Sequence, residues 1–391
     1  MNTKGKTKMS IGPNQNQDEI TVANESNPLI PGKNDPIPPS QSVIQLPKDH
    51  YLHIGAPTEW WWHTGTLKSG NRTFGFEINA ASLKFQPDPP SGIGPIPYGL
   101  SQVMLTDVSN GKHFEKTRIY NVPLEFNPDT WAEHDPSKDW FVELGNISMR
   151  APQVDPTDMA VKAGFEDADT GTNVQFDLRL TQNGPPFIVW GTGVSPDIPR
   201  PPQLDTNNFY YSLTRLSASG KIVIDNEILD VTGVTWMDHE YGLFSDPKGN
   251  APKWALQDMQ LDNGVCLSNY FLVTPSRPLE LNKSVLSHVT VQTKNHDGTY
   301  SNYYVDSILT PYGRTWKSPK TNGNYFMQLK IEIPAFNAIL DVSSLVDFQE
   351  FVIHESLQNS IYEGVAIAKG SFDGKNVQGT AWIEQCFLQC T

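Results

Sequence analysis

Cysteine is nearly absent from this chain: three residues in 391, Cys266, Cys386 and Cys390. So few, so unevenly spaced, supply neither a disulfide framework nor a four-ligand zinc site. Long apolar runs are missing as well. Mean hydropathy is −0.42, and no segment approaches the roughly 18 apolar residues of a membrane helix, so no membrane insertion is expected. Positive charge is short: 29 Lys and Arg stand against 43 Asp and Glu, a formal charge of −14, with no basic cluster to offset it. Phosphate backbones and anionic lipid would be repelled, which removes nucleic acid as an expected partner. Neither G-x-G-x-x-G nor a Walker loop occurs, so no nucleotide cofactor is expected. A G-x-S-x-G elbow is lacking and no cysteine sits in an activating context, which disfavours nucleophilic hydrolysis. Spacings of the H-x-H, C-x-x-C and HExxH kinds are missing too, so no metal is expected. Residues 1–14 have lysines but no apolar stretch behind them. Without the h-region of a secretory signal, a cytoplasmic location is expected.

What the chain does have is the texture of β structure. Residues 1–42 are rich in Asn, Gln, Pro, Ser and Lys and carry almost no aromatics, too little apolar surface to offset ordering, so a disordered tail is expected there. From Val43 onward, short apolar–polar alternations are broken by Gly, Pro, Asn and Asp, and no long segment repeats apolar residues at helical spacing. In 73–85, Phe74, Phe76, Ile78 and Ala80 fall on one face and Gly75, Glu77 and Asn79 on the other. Similar strands are predicted at 100–108, 140–149, 174–180, 221–235, 265–273, 288–294, 325–333, 338–345, 364–372 and 377–386. Hairpin signals such as Ser69-Gly70-Asn71, Asn110-Gly111, Asn263-Gly264, Asp297-Gly298 and Asp373-Gly374 separate them. Proline-rich connections at 87–97 and 185–202 make the loops long and stiff. The fold class is all-β, barrel or sandwich.

An internal repeat divides the chain. Residues 60–78 overlie 254–272 at a constant offset of 194, pairing Trp60 with Trp254, Leu67 with Leu261, Gly70 with Gly264, Phe76 with Tyr270 and Ile78 with Leu272. Two related β units in succession would explain it, with a boundary near residue 217 and domains of 43–217 and 218–391.

Chemistry has three places to sit. Glu59-Trp60-Trp61-Trp62-His63 puts consecutive tryptophans on a strand, so they point to both faces. Some face the interior; the others face an apolar ligand, a sugar or a second domain. In Gly233–Gly242, extension puts Trp236, Asp238 and Glu240 on one face and Met237, His239 and Tyr241 on the other. A carboxylic acid beside an indole suits proton delivery to an apolar substrate, because burial raises an aspartate's pKa and an indole face stabilises a cation. A carboxylate merely hydrogen-bonded at a strand end is the bland alternative. The third place is Glu77 and Asn79 with Tyr210 and Tyr211, polar groups able to orient a carbonyl or hydroxyl on a greasy ligand, or simply to face solvent.

These residues resemble a known family. Glu59–Leu67, Phe74–Ile78, Phe209–Leu216, Gly233–Gly242, Trp254–Gly264 and Tyr362–Glu384, spread over roughly residues 45–386, look like motifs of the AttH/CrtC family. Its members include carotenoid 1,2-hydratases, kievitone-hydratase-like proteins and fungal decalin-forming Diels–Alderases. The resemblance implies two consecutive lipocalin-like β domains, a hydrophobic ligand pocket in and between them, and no cofactor. Asp238 stands where the carotenoid hydratases carry the acid that protonates an alkene, with Trp236 and Tyr211 matching its aromatic partners and His239 or Glu240 orienting neighbours or water. Phe209 stands where a histidine is expected two positions before Tyr211. In the Diels–Alderase branch, the parts of the groups that hold a polyene and polarise its carbonyl would fall to Glu59, Glu77, Asn79 and Trp236, with Trp60, Trp62, His63 and Tyr210 as further substrate-binding candidates. The implied activity is hydration or cyclisation of double bonds in a hydrophobic polyene, terpenoid or polyketide-like molecule. A non-catalytic carrier of a lipophile, or a sugar binder using Trp60–Trp62, would use the same residues.

Overall fold

The structure is a computed structural model that describes residues 35–85, 96–121, 125–152, 158–196, 201–244, 252–352 and 360–387. Most of the expected tail, most of the 87–97 connection, part of 185–202 and Cys390 lie outside these. Regular structure among the described residues is almost entirely strand, and no helix is long and apolar enough to cross a membrane.

Two antiparallel sheets form the molecule. The first comprises β1 (Thr58–Ser69), β2 (Arg72–Phe85), β3 (Ile96–Asp107), β4 (Lys112–Asn121), β5 (Trp140–Leu144), β6 (Ile147–Ala151), β7 (Asp158–Glu166), β8 (Asn173–Gln182), β9 (Phe187–Ile188), β10 (Asn208–Ile224) and β11 (Glu227–Gly242). Its order is β4-β3-β2-β1-β11-β10-β8-β7-β6-β5, with β9 on β10, a curled sheet whose end strands do not pair. The second comprises β12 (Lys253–Leu261), β13 (Cys266–Val273), β14 (Val285–Lys294), β15 (Tyr300–Pro311), β18 (Gln328–Ile333), β19 (Ala338–Ser344), β20 (Glu350–Val352), β21 (Ser360–Phe372) and β22 (Lys375–Cys386). Pairing of β19 with β21 closes eight of its strands into a barrel, and β16 (Thr315–Lys317) with β17 (Asn324–Phe326) forms a small separate ribbon.

Turn chemistry sets these hairpins. Asp373 and Gly374 both take positive φ (52° and 69°) between β21 and β22, the backbone a tight two-residue hairpin needs. Two predicted strands are hairpins instead: 140–149 breaks at Gly145 (φ 55°) and 221–235 at Asp225 (φ 53°). Asp tolerates the left-handed region, so an Asp-Asn pair without glycine hides a turn inside an apolar run. The expected boundary near 217 falls inside β10, and β10 and β11 pair only within the first sheet. The change of sheet comes between Gly242 and Lys253. Nor does order begin only at Val43. Ile37 is buried, bridges to Asn302 and packs into space left by Gly191.

Burial explains the tryptophan run. Where a strand leaves one face to solvent it alternates strictly, as β8 does from Asn173 to Gln182. From Glu59 to Thr64, however, β1 is buried on both faces: Trp61 belongs to the first sheet's interior core, Trp60 and Trp62 to a second core between the sheets. A strand covered on both sides reads as a continuous apolar run. The sheets approach so closely that a Cβ on Gly75 of β2 would sit 2.5 Å from Cβ of Val365 on β21.

Candidate functional site

Alternation along β1, β10 and β11 sorts the candidate residues onto two sides of the first sheet. Trp60, Trp62, Tyr210, Asp238 and Glu240 face the second sheet and line a cleft between the two, completed by Trp190, Phe244, Trp254, Tyr270 and Glu384 among others. The cleft has a free volume of about 30 Å³. That is room for a couple of waters. Its walls are aromatic: Phe244 meets Trp60 at 5.0 Å and Trp254 at 5.2 Å, both edge to face, and Trp190 meets Tyr210 at 5.7 Å.

Three carboxyls enter this apolar space with no Lys or Arg among the lining residues. Asp238 Oδ1 accepts from the Trp236 indole N–H at 2.7 Å and the Ser212 hydroxyl at 2.5 Å. Burial raises its pKa, and Ser212, Trp236 and Tyr210 offset part of that rise. Glu384 is raised by burial and by Asp238, and among the described residues only the Trp254 indole N–H stabilises its anion. Glu240 is raised well above the carboxylate range by burial, despite the amide of Asn208. Beside the cleft lie Glu77, Glu363 and Asp258, also buried and also raised by burial and by their acidic neighbours. Neither oxygen of Glu77 has a hydrogen-bond partner among the described residues. Glu77 and Asn79 are thus between the sheets, opposite Thr64 and Trp62, but outside the cleft lining; the Asn79 amide donates to Gln102 at 3.0 Å.

The remaining candidates point the other way. Glu59, His63, Tyr211 and His239 lie in the interior of the first sheet, so the expected grouping of Tyr211 and His239 with Asp238 does not form. A strand flips face with every residue, and the cleft-facing pair of β10 is Asn208 and Tyr210, not Phe209 and Tyr211. Phe209 stacks on Tyr241 at 5.0 Å in the interior. His63 is fully buried, neither ring nitrogen has a partner among the described residues, and burial pulls its pKa down to about 3. Trp236 turns its N–H to Asp238 and lies outside the cleft lining.

In that interior a hydrogen-bonded chain links residues far apart in sequence. Glu59 Oε1 meets His239 Nε2 at 3.0 Å and His53 Nδ1 at 2.8 Å; His239 Nδ1 meets the Tyr211 hydroxyl at 3.2 Å, and that hydroxyl meets His50 Nδ1. Burial alone would neutralise His53, but Asp49 and Glu59 outweigh it and hold its pKa near 9. The two histidines hold Glu59 below the ordinary carboxylate range against its burial. Sequence reading missed His50, His53 and Glu384. The first two stand three apart beside Asp49, a spacing that was visible, and Glu384 follows Trp382 as Asp238 follows Trp236.

Comparison with known proteins adds three findings. A family model described as AttH-like matches residues 37–385. A solved structure described as that of an AttH from Nitrosomonas europaea superposes with a TM-score of 0.66 at 21% identity, covering 89% of this chain and 98% of the other. Kievitone hydratase from Nectria haematococca superposes at 0.64 with 16% identity, covering 93% and 99%. At such identities the fold is what is shared. Among curated proteins no sequence match is found.

Proposed function

This chain belongs to the AttH-like family, and on that premise we propose that it binds a hydrophobic, unsaturated small molecule between its sheets and catalyses hydration or cyclisation of a double bond. The observation that supports this reading is the pair Asp238 and Glu384, one acid buried and one half-buried, in an aromatic cleft whose lining carries no Lys or Arg. Interacting buried carboxyls hold a proton jointly up to a pH at which an exposed acid has lost it. Asp238 has three donors to stabilise its anion and Glu384 one, so the shared proton rests on Glu384 and the charge on Asp238. Roles follow from that asymmetry, and they differ from the expectation that Asp238 is the acid.

In hydration, the Glu384 proton adds to one alkene carbon and leaves a cation on the other. The faces of Trp60, Trp62 and Trp254 stabilise that cation, an effect of about 2 kcal/mol in a dry site. Water bonds to the cation and gives a proton to Asp238. In cyclisation no proton need move; the cleft holds the chain folded with reacting atoms in contact, and Glu384 or Tyr210 donates a hydrogen bond to an activating carbonyl. Trp236 and Ser212 position Asp238 rather than touch substrate. Since the cleft admits only waters as it stands, the aromatic walls must part for a substrate that fills a few hundred Å³. The test is to incubate the protein with an extract of its own cells, recover the bound ligand and compare its mass and isomer with the free pool. A changed ligand supports catalysis; an unchanged one makes the protein a carrier.

A further inference from the structure

On the interior face of the first sheet, with the sheet itself between them and the cleft, His53, Glu59 and His239 bring three donor atoms within 4.8 Å of one another. Both ring nitrogens converge on Glu59 Oε1, at 2.8 Å from His53 and 3.0 Å from His239. Two neighbouring ligands at about 2.1 Å from one ion and at right angles to each other would be about 3 Å apart. The imidazoles are also held from behind. His53 Nε2 lies 3.4 Å from Asp49 Oδ1 and His239 Nδ1 lies 3.2 Å from the Tyr211 hydroxyl, the outer partners that fix the orientation of a metal-binding histidine. Each ring is clamped flat: His53 on Tyr241 at 3.6 Å, His239 on Trp61 at 4.7 Å. The second oxygen of Glu59 accepts the His53 backbone N–H at 2.9 Å, so the carboxylate cannot swing.

We propose that His53, Glu59 and His239 form a binding site for a divalent first-row transition-metal ion. Two imidazoles and one carboxylate select zinc, iron, cobalt or manganese over calcium and magnesium, which prefer oxygen alone. Asp49 adds a second negative charge just outside the donors, and together with Glu59 it balances a divalent ion. No fourth His, Cys, Asp or Glu joins the group among the described residues. The ion would therefore keep coordination positions for water or another small ligand. It enters past His53, the one member of the three that is not fully buried. Sequence spacing could not suggest the site, because its members lie on β1, on β11 and on the segment that precedes β1.

The test strips the full-length protein with a chelator and titrates it with cobalt(II), reading the visible d–d absorption, and with zinc(II) by calorimetry. The expected result is one equivalent per chain. Glu59→Gln and His53→Ala should weaken it by about 100-fold and Asp49→Asn by about tenfold, while Asp238→Asn, on the cleft side, leaves it unchanged. Circular dichroism checks each fold; should Glu59→Gln fail to fold, His53→Ala, at the partly exposed end of the site, decides alone. Absence of stoichiometric cobalt binding, or binding that survives His53→Ala, would overturn the proposal and leave the three residues as a hydrogen-bonded triad.

Discussion

Asp238 and Glu384 occupy equivalent places in two different sheets. Asp238 pairs across β11 with Trp62 of β1, and Glu384 pairs across β22 with Leu256 of β12. Trp62 and Leu256 are related by the same 194-residue offset as the two hairpins. Each acid also follows a tryptophan by two positions, Trp236 and Trp382. Each sheet thus supplies one acid at a matching register position, and face-to-face packing of the sheets brings both into one cleft. Their surroundings then diverge: Trp236 donates to its own acid, whereas Trp382 donates to Glu363 at 2.6 Å and leaves Glu384 to Trp254. On the proposed reading, that difference makes Glu384 the proton holder and Asp238 the charge holder.

Glu384→Gln and Asp238→Asn should each lower kcat for hydration by about 10² to 10⁴ with a small change in KM, the range for losing a general acid or base. Tyr210→Phe should lower it less. Tyr211→Phe, on the far side of the sheet, should cost about 1 kcal/mol of stability through its two histidine partners and leave kcat unchanged. Steady-state kinetics with thermal melts separates the two faces.

The pH profile of hydration should be bell-shaped. Both carboxyls are raised by burial, so the pair takes up its second proton, and loses its base, above the ordinary carboxylate range; it loses its last proton, and its acid, higher still. Glu384→Gln should remove the alkaline limb and Asp238→Asn the acidic one. A flat profile from pH 5 to pH 9 would contradict this assignment.

How far the sequence disclosed this arrangement depends on the range of the interactions. Strands, most hairpin turns with glycine (Gly145 inside 140–149 was passed over) and the face carrying Trp236, Asp238 and Glu240 were legible, because alternation and turn propensity are local. The hairpin at Asp225 was not, since no glycine marks it. The one-residue choice between Tyr210 and Tyr211 was also hidden: in β10 both are buried, so hydrophobicity does not say which looks into the cleft. The meeting of Glu59, His53 and His239 depends on register between β1 and β11, which no single segment encodes.

His63 should prove dispensable. With no partner for either ring nitrogen among the described residues and a pKa drawn down by burial to about 3, it stays neutral in the fold while the unfolded chain takes up a proton near pH 6.5. Its contribution to stability is therefore complete above about pH 6.5 and is lost as pH falls toward 3. His63→Leu should hold or raise the melting temperature at neutral pH and, between pH 6 and pH 4, reduce the acid-induced loss by one proton's worth. Melts at the three pH values check both.

Gly75→Ala should destabilise the protein by about 1–3 kcal/mol, because the new methyl would meet Val365 of the opposite sheet. In a Val365→Gly background the same change should cost less. A denaturant-melt double-mutant cycle reads the coupling, and additive effects would mean that the sheets are not pressed together at this point.

The most direct measurement is the recovered ligand's mass after incubation in heavy water. With wild-type protein, hydration should add the elements of water and place one deuterium on carbon, and with Glu384→Gln it should not. A ligand that leaves the wild-type protein chemically unaltered, or a Glu384→Gln variant that deuterates it at the normal rate, would contradict the assignment of the inter-sheet acids to the chemistry.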